Sequence, residues 1–219
     1  MGALVLGGSA LAGWWYWQHW TPDRARYPVQ GLWLDHTAGP VDWTLVKNGP
    51  PGAQFVYLTA SIGADDRDPA FIPALDAARA AGLQVGTVHV YDLCAPAERQ
   101  AGNFVTTVAR DPRLLPAAIA IDLDPVRCPD PPGDAAIDSE LTTFLNQVER
   151  HLGRTVVLMP SPAVERRYHF AARIDRNVWV GGPFWPAAPS ARGWVLWTAN
   201  DRLRSAGVGS PVRWVVVQP

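Results

Sequence analysis

Two aspartates, Asp122 and Asp124, close an apolar run, AAIAIDLD, over residues 117–124. On an extended chain a spacing of two sets both side chains on one face. Carboxylates so close repel each other, so one holds its proton more tightly and can act as a general acid. The same spacing also suits a strand-end turn in which aspartate only caps the backbone, and spacing alone leaves both readings open. Asp35 ends an earlier apolar run and His89 lies near the end of another. Acids and a histidine converging from several strand ends are what an open barrel mouth presents. No C-x-x-C or His/Cys spacing suggests zinc.

The elements that would position these groups alternate along the chain. Strands are expected at 29–34, 54–60, 83–91, 117–124, 155–159, 177–180, 194–197 and 212–217, from β-branched and aromatic runs between turn residues. Helices are expected at 42–47, 96–108 and 138–152, the last stopped by Gly153. A further helix has Asp68 as its N-cap, Pro69 at its first position and Gly82 just past its end. Strands alternating with helices imply a parallel sheet covered by helices, and eight strands imply a closed barrel. The later helices are weak, so the α/β fold is expected to be an irregular, TIM-like (β/α) barrel. Proline-rich patches at 50–51, 129–132 and 183–189 read as loops.

Composition narrows the function classes. The 219 residues suit one domain with a sizeable core, and 48% hydrophobic against 18% charged residues excludes a disordered chain. A net charge of −1 without a basic stripe argues against nucleic acid as a partner. Eleven tryptophans suit core packing and a membrane belt, or indole platforms for sugar rings. Residues 1–17, MGALVLGGSALAGWWYW, carry no charge and end in an aromatic cluster. That pattern fits a membrane anchor over residues 1–20 with an aromatic belt at its boundary. A cleaved signal segment, suggested by Ala10-Leu11-Ala12, and a buried helix are the rivals. Residues 21–27, TPDRARY, read as a linker, and the globular body as 28–219.

From residue 28 onwards the chain resembles glycoside hydrolase family 25, the bacterial muramidase family. The family opens on G-I-D-V-S-H-x-Q-G and then I-D-W; here Gly31 to Gly39 reads GLWLDHTAG, followed by Val41-Asp42-Trp43. F-x-Y-I-K-A-T-E-G and D-P-x-F are similar to FVYLTASIG at 55–63 and DPAF at 68–71. A-G-L-x-x-G-x-Y-H-F finds Ala81-Gly82-Leu83, Gly86 and His89; Q-A-x-N-F finds QAGNF at 100–104. D-x-E is matched by Asp122-Leu123-Asp124, and W-x-x-W-Q-Y by WVLWTA at 194–199. The motifs occur in order and at fitting spacings. The resemblance implies cleavage of the β-1,4 bond between N-acetylmuramic acid and N-acetylglucosamine in peptidoglycan, using carboxylates of the D-x-E strand and a first-strand Asp. No metal or cofactor is implied, because carboxylate-driven glycoside hydrolysis needs neither. It also implies a Cys94–Cys128 disulfide, as in exported members with one Cys after the third strand and one after D-x-E. Two free thiols are the alternative. Export would place the body in the periplasm or at the outer membrane face.

Departures from the motifs fall on the acidic positions. The Glu of D-x-E is Asp124, one methylene shorter, and a shift of about 1 Å in a reacting group costs on the order of a hundredfold in rate. The first-strand Asp position is Trp33, with Asp35 two residues further along. The T-E-G Glu position is Ile62, its neighbouring Lys position is Thr59, a sheet Tyr is Met159, and V-D-L-N has become Val212-Arg213-Trp214-Val215. Two readings follow. One is a slow muramidase with Asp124 as acid, Asp122 as stabiliser and Asp35 in reserve. The other is a silent relative that binds a glycan or a protein through Trp33, Tyr91, Trp185 and Trp197, beside His89.

Overall fold

The computed structural model describes residues 13–186 and 193–219. Eight strands close a barrel: β1 (Gln30–Leu34), β2 (Phe55–Ile62), β4 (Gln84–Tyr91), β5 (Ala118–Ile121), β6 (Val157–Pro160), β7 (Asn177–Gly181), β8 (Leu196–Leu203) and β9 (Val212–Val217). Around the ring each strand is parallel to its neighbour, except β9, which runs antiparallel to both β8 and β1. A two-residue strand β3 (Asp66–Arg67) adds a hairpin to the end of β2. Residues 13–19 are helical (α1). The other helices are α2 (Trp43–Asn48), α3 (Phe71–Ala80), α4 (Ala97–Thr107), α5 (Asp134–Leu152), α6 (Pro162–Tyr168) and α7 (Phe170–Arg173). The expected barrel is the observed fold, and its irregularity lies where it was expected. The sheet switches to antiparallel at β9, and among the described residues no helix lies between β7 and β9.

Alternation along each strand divides the hydrophobic residues into two cores. Inside the barrel sit Phe55, Tyr57, Val88, Ala118, Val157, Trp179, Leu196 and Val215. Between barrel and helices lie the outward side chains, such as Leu32, Leu34, Val56, Leu58, Ile119 and Leu158, packed against Phe104, Ile137 and Phe144. Glycine makes room for the inner aromatics. A Cβ on Gly86 would stand 2.4 Å from the Tyr57 ring, and one on Gly31 would stand 2.2 Å from the Phe55 carbonyl oxygen. The interior is thus filled with side chains, so a ligand is confined to the strand ends.

Local chemistry adjusts two expected boundaries. Helix α3 starts at Phe71, two residues later than expected, and Asp68 caps the turn that leads into it. Its Oδ2 accepts the His36 N–H at 2.8 Å, tying the loop after β1 to the loop before α3, while Oδ1 accepts from Ala70 N at 2.8 Å. Helix α5 starts earlier than expected, at Asp134, and ends on Gly153 in the left-handed region at φ 70°.

The N-terminal part of the chain lies on the barrel wall. Asn200 donates to the carbonyls of Trp17 (2.6 Å) and Trp20 (2.9 Å), and Arg204 N donates to Gln18 O at 2.7 Å. The Trp20 ring packs between Phe184 and Trp197. Segment 21–27, read as a linker, is held down as well. Tyr27 is in the core, and Gln30 Nε2 donates to the carbonyls of Pro22 and Tyr27. Most of the expected anchor, residues 1–12, lies outside the described residues. Among those described, no helix is long and apolar enough to cross a membrane.

Candidate functional site

The C-terminal ends of the parallel strands, with the start of β9, form one open mouth. Inward-facing positions are fixed by alternation: Trp33 and then Asp35 from β1, Thr59 from β2, Ala120 and then Asp122 from β5, Met159 from β6, Thr198 from β8 and Arg213 from β9. The sequence places Asp122 correctly at the end of β5. Its side chain is exposed, and among the described residues its Oδ1 accepts only the N–H of Leu123, at 2.8 Å.

Asp124 stands on the same side, but its oxygens are engaged. Oδ1 accepts from Val126 N (2.9 Å) and Arg127 N (3.2 Å), and Oδ2 lies 3.5 Å from Arg127 Nε. It caps the turn that leads to Cys128. Cys128 forms a disulfide with Cys94, their Cα atoms 5.3 Å apart, and so joins the loops after β5 and β4. The expected pairing is present, and it staples one lip of the mouth.

The opposite lip, built by β1 and β9, carries a different chemistry. Trp33 points into the barrel, donates from Nε1 to Thr59 Oγ1 at 3.0 Å and meets the Trp179 ring edge to face, centroids 5.9 Å apart. The Arg213 guanidinium lies over the Trp33 ring, 4.1 Å from its centroid, and its Nη1 donates to Asp35 Oδ2 at 3.2 Å. Asp35 also accepts from the Thr37 N–H at 2.9 Å and from the Thr37 hydroxyl, capping a short 3-10 turn, His36–Ala38. Burial alone would raise the Asp35 pKa. The Thr37 hydrogen bonds and Arg213 together outweigh it and hold this carboxyl below its usual value. Asp35 is therefore an ionised cap and ion-pair partner, which removes it as a reserve proton donor.

Three residues expected at the site face the other way. His89 is buried between β4 and the helices, stacked on Phe144 of α5 at 4.8 Å. The Gln100 amide is oriented by the carbonyls of Asp92 and Ala95 and by the Asp92 N–H, so its Oε1 must accept. His89 Nε2, 3.3 Å away, then carries the hydrogen, and Nδ1 accepts from the Ser61 hydroxyl at 2.8 Å. Burial pushes the His89 pKa down to about 4, partly opposed by the Gln100 hydrogen bond. The imidazole is a neutral structural strut. Tyr91 points the same way, its ring edge-on to Phe144, with burial raising its pKa. Trp197 is buried under Trp20, Tyr27 and Trp194, and donates to Gly182 O at 2.7 Å. Trp185 is the expected aromatic that does stand in solvent, 74% exposed in the segment after β7.

Arg213 is the charged mouth residue absent from the expected candidates. The available signal was alternation in VRWVVV, where Arg213, Val215 and Val217 share the face opposite Val212, Trp214 and Val216. Near Asp122 and Asp124 a hollow of about 370 Å³ is lined by Ile62, Val90 and Arg127. A second, of about 430 Å³, lies where α6 meets the ends of β6 and β7, with Glu165, Arg166 and His169. Among the described residues no cluster of His, Cys, Asp or Glu could hold a metal ion.

Comparison with known proteins agrees with this architecture. Among curated proteins none matches the chain. A family 25 glycosyl hydrolase from Bacillus anthracis superimposes with a TM-score of 0.82 at 21% identity, covering 92% of this chain and 93% of that one. The bacterial lysozyme from Streptomyces coelicolor gives 0.78 at 23% identity, over 87% and 92%. A muramidase from Trichobolus zukalii gives 0.74 at 18%, over 87% and 94%. The family model for glycosyl hydrolases family 25 matches residues 34–202, so the chain belongs to that family of lysozyme-type glycoside hydrolases.

Proposed function

We propose that this domain binds peptidoglycan glycan strands at the barrel mouth and hydrolyses their β-1,4 bond weakly or not at all. The observation that carries the reading is the Trp33–Arg213–Asp35 assembly on the lip built by β1 and β9. At the family's first-strand Asp position this chain has an indole, and at the Asp of V-D-L-N it has a guanidinium. The remaining acids do not restore a working pair. Carboxylate-driven hydrolysis needs one group to protonate the leaving oxygen and a second to act as nucleophile or base. Asp124 is engaged by its own turn and Asp35 by Arg213; of these three acids, only Asp122 has just a backbone N–H of its neighbour as partner among the described residues.

Binding is supported by what the mouth retains. Indole surface at Trp33 and the exposed Trp185 suit the apolar faces of sugar rings. The disulfide supports export, since such bonds persist in oxidising compartments. With the uncharged N-terminal run, it supports a periplasmic or outer-face domain tethered through residues 1–20. Co-sedimentation with insoluble peptidoglycan, run beside a zymogram on the same material, tests the reading. Binding without a cleared band, or with a faint one, is expected; strong clearing would overturn it.

A further inference from the structure

We infer that Arg213 makes the mouth selective for saccharides that carry a carboxylate, an inference that rests on the glycan-binding reading above. An arginine on the inner face of a barrel strand requires support, and here it has two. The Trp33 ring covers one face of the guanidinium, and Asp35 takes one of its N–H groups. Cation–π stacking fixes the plane of the fork without consuming its donors. Among the described residues the other guanidinium N–H groups have no hydrogen-bond partner, and 40% of the side chain is exposed. The fork is held in position with donors to spare.

Those spare donors match a carboxylate, which a guanidinium can hold through two parallel N–H···O bonds. A neutral sugar offers hydroxyls that meet the same donors one at a time and without charge. Asp35 meets the fork through one oxygen, Oδ2, while its Oδ1 is held by the Thr37 N–H and hydroxyl, so it does not occupy the fork in a two-bond clasp. The ligand chemistry is therefore a sugar ring lying beside Trp33 with a carboxylate directed at Arg213. In peptidoglycan such a group occurs as the lactyl ether acid of stem-free muramic acid, or as the free acids of the peptide stem.

Calorimetric titration of the full chain with four tetrasaccharide probes tests this. They are a stem-free muramic acid–glucosamine glycan, its methyl ester, the same glycan with peptide stems, and chitotetraose. The stem-free acid is expected to bind about tenfold more tightly than its ester and than chitotetraose. R213Q should erase that difference between acid and ester, whatever it does to the affinity they share, and R213K should restore part of it. A stem-bearing glycan that alone outbinds chitotetraose would also support carboxylate selection and assign it to stem acids. The wild-type comparison of acid with ester stands even if R213Q fails to fold. Equal affinity for acid, ester and chitotetraose would overturn the inference and leave glycan binding intact. An acid preference that persists in R213Q would overturn the role of Arg213. Failure to bind any probe would overturn the glycan-binding reading itself.

Discussion

The two faces of the barrel wall carry different kinds of residue. Outward faces keep the family motifs: His89 with Gln100, Asn103 bonded to the carbonyls of Gly63 and Asp66, and Asp68 bonded to the loop after β1. These groups are buried, polar and fully partnered, so a change at any of them would leave a neighbour unsatisfied. Inward faces at the mouth carry the departures, Trp33, Met159 and Arg213, where solvent can accommodate a new side chain. Motif survival in this chain therefore reports the scaffold, and the chemistry has to be read from the positions between the motifs.

The largest effect should separate the two faces within one pair of strands. Trp214 points outward, fully buried, and donates to Gln30 Oε1 at 2.8 Å. Trp214→Ala should cost about 4 kcal/mol of unfolding free energy, from lost burial, a cavity and an orphaned acceptor. Trp33→Ala, at the partly open mouth, should cost roughly half of that while weakening glycan binding. Chemical denaturation of both variants checks the contrast. Equal losses would mean that Trp33 is as much a structural residue as Trp214.

Next in size is the staple on the lip built by β4 and β5. The Cys94–Cys128 bridge closes a separation of 34 residues. Chain entropy alone makes a loop of that length worth about 4 kcal/mol. Replacing both cysteines by serine should lower stability by roughly that amount, read from denaturant midpoints. An unchanged midpoint would show that the turn capped by Asp124 holds the lip without help.

A pH experiment probes the outward face alone. His89 is neutral in the fold with its pKa pushed down to about 4, whereas the unfolded chain titrates near 6.5. As pH falls, the unfolded chain takes up the proton first, so stability is full above about 6.5 and lost progressively towards 4. The loss attributable to this group is on the order of 3 kcal/mol. His89→Gln should flatten the slope of unfolding free energy against pH in that window, whatever it does to absolute stability. A slope unchanged in the variant would assign the acid sensitivity to other groups.

The sequence made the barrel, the strand-end position of Asp122 and the cysteine pairing legible, because each rests on local pattern or on ordered motifs. It did not reveal which way His89 and Tyr91 point. From Val85 to Tyr91 no residue of β4 is exposed, because the wall is covered on both sides, so hydrophobic alternation carries no inside–outside signal there. Trp197 was misplaced for the same reason: indoles pack on both faces of β8 and its neighbours. Asp35 and Asp124 were visible as acids, but their engagement with Thr37, Arg213 and Arg127 depends on backbone turns that no spacing rule specifies.

The smallest expected effect is the restoration of hydrolysis, and its size is itself informative. Asp124→Glu lengthens the acid by one methylene, and Trp33→Asp returns a carboxylate to the first strand. Together they should raise turnover on peptidoglycan above wild type, yet only by about tenfold, on the order of 1.4 kcal/mol in the barrier. The cap comes from Arg213. With the indole gone the guanidinium loses its stacking partner and remains beside the new carboxylate at position 33, because the two residues are direct partners across β1 and β9. An ion pair there would hold the restored carboxylate away from the sugar. Adding Arg213→Asp should therefore give a further gain that Arg213→Asp alone does not give, and Asp122→Asn should remove whatever activity wild type has, since Asp124 is engaged by its own turn. Release of reducing ends from purified peptidoglycan measures all five proteins. If the double variant already reaches its ceiling, with no gain from the third substitution, then Arg213 does not suppress catalysis and the lost Glu position at Ile62 becomes the barrier to recover.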